Sequence, residues 1–220
     1  MVQLFTMRPD GTHVRQLTHE AVQWSVNPAW SPDGRKLAFV REPPEEQGGD
    51  VYVINADGSG ERALTHDAGH NRGPAWSPDG TRIAFDSDRT GPGTSAVYQM
   101  RPDGSRVRRL TPLDLDAFGA DYAPDGRHVA LSSNLDALTS AIYVIRPDGS
   151  GLRRLTSPPP DIGGDFDVSY APRGDKLVFA SDRRESDADL WVMEADGTNL
   201  VDITPDPGAQ LVPDWGPTTS

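Results

Sequence analysis

The dipeptide Asp-Gly returns through this 220-residue chain at nearly constant intervals. It occurs at Asp10-Gly11, Asp57-Gly58, Asp103-Gly104, Asp148-Gly149 and Asp196-Gly197, spaced 47, 46, 45 and 48 residues apart. A second series lies between them: Asp33-Gly34, Asp79-Gly80, Asp125-Gly126 and the variant Arg173-Gly174. Two interleaved series with one period place two tight turns at fixed points in every copy. Glycine supplies the positive φ that such hairpin turns require. The chain is therefore built from copies of one unit, and each unit must contain paired strands.

The runs between the turns are short and rich in β-branched and aromatic residues. Val51-Tyr52-Val53-Ile54, Val97-Tyr98-Gln99-Met100, Ile142-Tyr143-Val144-Ile145 and Leu190-Trp191-Val192-Met193 precede first-series turns, as does Leu4-Phe5-Thr6-Met7 at the start. After these turns a run ends in Leu17, Leu64, Leu110, Leu155 or Ile203, each followed by Thr. Second-series turns are preceded by Trp30, Trp76, Tyr122 and Tyr170, with Trp215 in the same place in a fifth copy. They are followed by Leu37-Ala38-Phe39, Ile83-Ala84-Phe85, Val129-Ala130-Leu131 and Leu177-Val178-Phe179. Each period thus holds four strands, each too short for a buried helix. No window keeps a helical period, and 22 glycines with 20 prolines exclude a long-helix protein. Repeats of 40 to 50 residues with four strands describe propeller blades.

Residues 51–65, 74–80 and 83–89 carry the pattern almost intact. It reads Tyr-Val-Ile-x-x-Asp-Gly-Ser-Gly through Leu-Thr, then Pro-Ala-Trp-Ser-Pro-Asp-Gly, then Ile-Ala-Phe-x-Ser-Asp-Arg. This resembles the TolB-type, WD-like β-propeller repeat, and the resemblance spans the whole chain. It implies an all-β propeller whose strands are lettered A to D outward from a central channel. The Trp/Tyr run is A, the Ala-Phe run B, the Tyr-Val run C and the Leu-Thr run D. Complete blades are expected at about 28–65, 74–111, 120–156 and 168–204. A fifth, incomplete blade is expected from residues 3–17 and 211–216, shared between the termini. TolB-like propellers usually have six blades and are typically exported. No charged n-region, apolar h-region or cleavage site precedes the first strand. The expectation is therefore a cytoplasmic member, a mature form or a piece of a longer protein, and in the last two cases a periplasmic or extracytoplasmic location.

The A–B and C–D connections are the tight turns, so the long B–C and D–A loops share the other end, where function on a rigid scaffold concentrates. Together those loops are more acidic than the whole chain, whose net charge is −12. The strands and tight turns therefore carry a small positive surplus. The acidity argues against nucleic acid, whose binding depends on neutralising phosphates, and fits a basic protein partner. Three aromatics, Trp24, Phe118 and Phe166, fall outside the repeat positions and are assigned to D–A loops. They are candidate contact anchors. Asp114, Asp116 and Asp121 lie on one such loop, and Asp161, Asp165 and Asp167 on another. These acids could steer the partner or hold a calcium ion at the channel mouth through oxygen ligands. The predicted partner site is Trp24, Phe118, Phe166, Asp114, Asp116, Asp161, Asp165 and Asp167.

Catalytic signatures are not found. There is no cysteine, and no serine stands in Gly-x-Ser-x-Gly. His66 and His70 form His-x-x-x-His, a weak metal candidate, because Gly69 and the loop context oppose a helix. The pairs Arg108-Arg109 and Arg153-Arg154 recur at one place in strand D and read as solvated charges guarding an edge. The sequence therefore predicts a monomeric, non-enzymatic, protein-binding scaffold of TolB-like type, without a cofactor or membrane span. The alternatives are the gating propeller of a prolyl-oligopeptidase-like serine peptidase, which needs a separate catalytic domain, or a metal-dependent enzyme at the channel mouth.

Overall fold

The computed structural model describes residues 2–44, 48–66, 69–91, 93–135, 139–159, 163–184, 187–204 and 208–215. The fold is all-β. Its one helical element among these residues is a 3₁₀ turn at Leu113–Leu115. A two-stranded sheet comes first, β1 (Phe5–Thr6) with β2 (Arg15–Gln16). Four four-stranded antiparallel meanders follow. The first is β3 (Trp24–Trp30), β4 (Lys36–Glu42), β5 (Asp50–Asn55) and β6 (Arg62–Ala63). The second is β7 (Asn71–Trp76), β8 (Ile83–Ser87), β9 (Ala96–Met100) and β10 (Arg108–Arg109). The third is β11 (Ala117–Tyr122), β12 (Val129–Ser133), β13 (Ala141–Ile145) and β14 (Arg153–Arg154). The fourth is β15 (Asp165–Tyr170), β16 (Lys176–Ser181), β17 (Asp189–Glu194) and β18 (Val201–Asp202).

Two compact units divide the chain. One holds Met1–Gly93 with Tyr98–Arg108, the other Thr94–Val97 with Arg109–Ser220. In the first unit, Leu4 and Leu17 from the β1–β2 hairpin pack with Leu37, Phe39 and Ile54 of the first blade. In the second, Ile142, Val144, Val168, Leu177, Phe179, Trp191 and Met193 form the core between the third and fourth blades. Phe39, Phe85 and Phe179 hold one repeat position in strand B and are fully buried; Leu131 takes that place in the third blade. Each contributes roughly 2–3 kcal/mol from burial.

Both turn series work through their aspartates. Gly58 N–H donates to Asn55 C=O at 2.8 Å, and Gly58 sits at φ 76°, closing a tight turn with one left-handed residue. The Asp57 carboxylate accepts from Ser59 Oγ at 2.6 Å and from Ser59 N–H at 2.9 Å. Those two bonds, the hydroxyl's first, hold its pKa below the usual carboxylate value. In the A–B turn, Ser31 Oγ donates to Asp33 at 2.6 Å, and Asp79 receives the same bond from Ser77. The turn aspartates are thus occupied by local hydroxyl and amide bonds.

Strand D is two residues long in every copy. The threonine that follows it secures it. Thr18, Thr65, Thr111, Thr156 and Thr204 each accept, through Oγ1, the amide that opens strand C. The donors are Leu4, Val51, Val97, Ile142 and Leu190, at 2.7–3.0 Å. Beyond this latch, strand D grips the following hairpin. Arg15 donates to Asp57 C=O, Arg62 to Pro102 and Asp103 C=O, and Arg153 to Asp196 C=O. The hairpin glycines sit close to the preceding strand D. A Cβ on Gly104 would lie 2.8 Å from Leu64 C=O, at a φ of +82°. The strand D arginines are therefore not merely solvated. Arg153 spans two blades, and Arg154 stacks over Tyr143 with its guanidinium 5.9 Å from the ring centroid.

Strand A starts earlier than the sequence suggests, at residues 24, 71, 117 and 165 rather than at about 28, 74, 120 and 168. A bulge explains the difference. In each blade the A–B register shifts at one residue with left-handed backbone: Asn27, Gly73, Gly119 and Asp167, with φ between 50° and 61°. The extra residue breaks the two-residue alternation and hides the first half of the strand from pattern reading. Residues 208–215 form no strand, although one was expected around Trp215. Val212 there adopts φ 52°, and the segment lies along β15 instead. Gln210 N–H bonds Ala188 C=O at 2.6 Å, and Trp215 Nε1 bonds Ser169 C=O at 3.3 Å.

The latch sets a stability expectation. Thr156→Val keeps the shape but strands the buried Ile142 amide, and should lower unfolding free energy by about 1–3 kcal/mol. A urea midpoint unchanged from wild type would refute the role given to the hydroxyl.

Candidate partner-binding surface

The three anchor aromatics do not sit on loops. Trp24 opens β3 opposite Glu42, Phe118 pairs with Ser132 in β11–β12, and Phe166 pairs with Ala180 in β15–β16. All three are half-buried. Phe118 and Phe166 in fact share a repeat position, four residues before Tyr122 and Tyr170, where the first two blades carry Val26 and Arg72. Their assignment to loops failed because the bulge separates them from the tyrosines by an odd step. In the second unit β11 and β15 are neighbours, joined by Tyr170 N–H donating to Asp121 Oδ2 at 2.8 Å.

The acids separate into structural and solvent-facing groups. Asp165 is fully buried and cannot meet a partner. Arg183 clamps it, with Nη2 at 2.6 Å from both carboxylate oxygens, and Ser181 Oγ adds a third bond at 2.7 Å. Arg183 then lies 4.8 Å over the Trp191 ring. The second blade builds the same arrangement without the negative charge. There Arg89 donates to Asn71 Oδ1 at 2.8 Å and to Ser87 Oγ at 3.0 Å, and lies 4.7 Å over Tyr98. A recurring Ser-Asp-Arg at the end of strand B was the sequence signal for this clamp.

Asp116 is also committed. It follows the 3₁₀ turn at φ 45° and accepts Ser95 N–H at 2.7 Å and Asn134 Nδ2 at 3.1 Å. Asp121 and Asp167 lie in strand A, not in loops. Asp167 occupies the bulge of β15, where burial raises its pKa against a hydrogen bond from Val212 N–H. Burial pushes Asp121 up to about 6, and the Asp214 charge adds to this against the Tyr170 amide bond. Asp114 is exposed on the 3₁₀ turn. Asp161 lies outside the described residues. Of the predicted members, Asp114 is exposed and Phe118, Phe166 and Asp167 are half-buried in the second unit, and Trp24 is half-buried in the first.

The histidine pair is divided. His66 is exposed, whereas His70 pairs through Nδ1 with Asp88 Oδ2 at 3.0 Å, and its backbone amide bonds the same carboxylate at 2.7 Å. Among the described residues no three His, Asp or Glu side chains gather to hold a metal ion.

Two tests follow from this geometry. Arg183→Ala leaves the Asp165 carboxylate buried and uncompensated, and should cost about 3–5 kcal/mol. Asp165→Asn copies Asn71 and should cost much less; equal losses in chemical denaturation would break the comparison between the blades. Asp121 gives a pH signature. Its folded pKa stands above the unfolded value near 3.8, so folding favours the protonated form. That contribution is complete below about pH 4 and is lost as pH rises through about 6. Asp121→Asn keeps an acceptor for the Tyr170 amide and removes the loss, which is about 3 kcal/mol at pH 7. The thermal midpoint of the variant should exceed wild type at pH 7.5 and converge with it near pH 4. A constant gap across that range would contradict the assignment.

A family model described as the TolB beta propeller domain matches residues 2–121. The structure is similar to that of the protein described as TolB from Agrobacterium tumefaciens, with a TM-score of 0.75 and 24% identity, covering 91% of this chain and 79% of that one. TolB from Acinetobacter baumannii gives a TM-score of 0.78 at 21% identity, covering 95% of this chain and 50% of that one. Oligogalacturonate lyase from Vibrio parahaemolyticus gives 0.67 at 11% identity, covering 93% of this chain and 59% of that one. No curated protein matches the chain in sequence. The structural likenesses establish the β-propeller fold and leave activity to the individual site. Because the family model covers more than half of its residues, the chain belongs to the TolB beta propeller domain family.

Proposed function

We propose that this chain is a non-enzymatic scaffold of TolB-like type that binds a protein partner at the long-loop end of its blades, within the bacterial envelope. The observation that carries this is the pair Phe118 and Phe166. Two large rings stand at one repeat position on neighbouring A strands and remain partly open to solvent, where the core does not need them. Aromatic anchors of this kind account for most of the energy in many protein interfaces. Asp114 on the 3₁₀ turn before β11 and Asp167, next to Phe166 in the chain, favour a basic partner and fast, salt-sensitive association. The buried Asp165 and the committed Asp116 belong to the scaffold. Trp24 extends the proposal to the first unit.

An enzymatic reading has less support. The likeness to the oligogalacturonate lyase lies in the scaffold, at 11% identity. The residues that recur in this chain are latches, turns and clamps.

Partner capture tests the proposal directly. Phe118→Ala with Phe166→Ala should weaken capture of a cross-linked envelope partner by at least tenfold, with the far-UV spectrum unchanged. The on-rate of the wild-type chain should fall as salt rises. Undiminished capture by the double variant would exclude the aromatic pair as the anchor.

A further inference from the structure

The second blade carries a cavity of about 540 Å³ at its tight-turn end, lined by Thr81, Arg82, Arg101, Arg106, Val107 and Arg108. Four of six lining residues are arginine, in a chain of net charge −12. All six belong to the first unit. The first and fourth blades provide a contrast. In the first blade the residue that opens strand B, Lys36, donates to Asn55 Oδ1 at the end of strand C at 2.6 Å. In the fourth, Lys176 meets Glu194 at 2.5 Å in the same register. The corresponding residues in the second blade are Arg82 and Arg101. The first and fourth blades place an acceptor at this position, whereas the second blade, like the third with Arg146, places a cation, and like charges at facing positions destabilise a sheet.

A third cation joins them from the hairpin. Arg106 adopts φ 57° in the left-handed region, at the position that Gly60 and Gly151 fill in the sister hairpins. Among the described residues, the Arg82, Arg101 and Arg106 guanidiniums form no ion pair and no hydrogen bond. The turn carboxylates Asp79 and Asp103 hydrogen-bond Ser77, Thr81 and Ser105, and they attract Arg82 and Arg101 only through space.

We infer that this cavity is a binding site for a small oligophosphate anion. Arg82, Arg101 and Arg106, from separate segments, line one open depression, and all three are exposed. A planar carboxylate satisfies one fork, whereas linked tetrahedral phosphates present oxygens to all three. The volume suits a small ligand. No aromatic ring lines it to stack a nucleobase, so charge and phosphate geometry are what it reads. The site is independent of the proposed partner surface, which uses other residues.

Calorimetric titration of the 220-residue chain with inorganic pyrophosphate and tripolyphosphate, at fixed ionic strength, tests the inference. Saturable one-site binding is expected, tighter for tripolyphosphate, with sulfate at matched ionic strength giving none. Arg101→Asn and Arg106→Gly each install a residue that a sister blade already carries. Together they should weaken binding at least tenfold without lowering the thermal midpoint. Arg82→Lys should retain most of it. Binding of sulfate equal to that of pyrophosphate, no saturable heat up to 5 mM tripolyphosphate, or unaltered affinity in the double variant would each overturn the assignment. The pyrophosphate–sulfate comparison needs no variant, so it decides the question even if a substitution impairs folding.

Discussion

Everything between neighbouring blades rests on a strand that is barely long enough to exist. Strand D has two residues in each copy, and two ladder pairs cannot hold a strand against fraying on their own. The threonine hydroxyl after it adds a fixed point by taking the amide of the second residue of strand C, whose carbonyl accepts the amide of the preceding leucine. Only because D is held there can its arginine reach the next hairpin and its leucine carbonyl meet the hairpin glycine. One small polar contact inside each blade thus helps to position the strand that meets the next blade.

This arrangement explains which parts of the molecule were legible in the sequence. The turns were, because Asp-Gly fixes both a left-handed residue and a carboxylate that bonds the next amide. Strands B and C were, because a buried strand reads as an unbroken apolar run. Strand A was legible only in its second half. The left-handed residue at Asn27, Gly73, Gly119 or Asp167 resets the alternation, so Phe118 and Phe166 appeared to lie on loops. Leu-Thr was visible as a pattern, yet its purpose needed the geometry, since the bond it makes spans 14 residues. The expectation for Arg153 went wrong for the same reason: its partner is the Asp196 carbonyl, 43 residues away.

The acidic residues show how charge can mislead a functional reading. In sequence, Asp114, Asp116, Asp165 and Asp167 look alike. In the fold, one is exposed, one bridges two segments, one is sealed under Arg183 and one fills a bulge. A carboxylate in a propeller repeat is most often a device for satisfying backbone amides or cations, so net charge overstates the surface available to a partner. Aromatic residues at a position the core does not require are the better guide, and in the second unit they fall on adjacent strands.

The arginine bridges also have a direction. In every case shown, the donor belongs to the earlier blade and the acceptor hairpin to the later one. A gene segment encoding one blade therefore carries a donor on its trailing strand and an acceptor on its own hairpin. When such a segment is copied in tandem, the new junction is complementary from the outset, with no fresh interface to evolve. Propellers of this type can gain or lose blades by simple duplication, and the near-constant spacing of Asp-Gly in this chain is the record that process would leave.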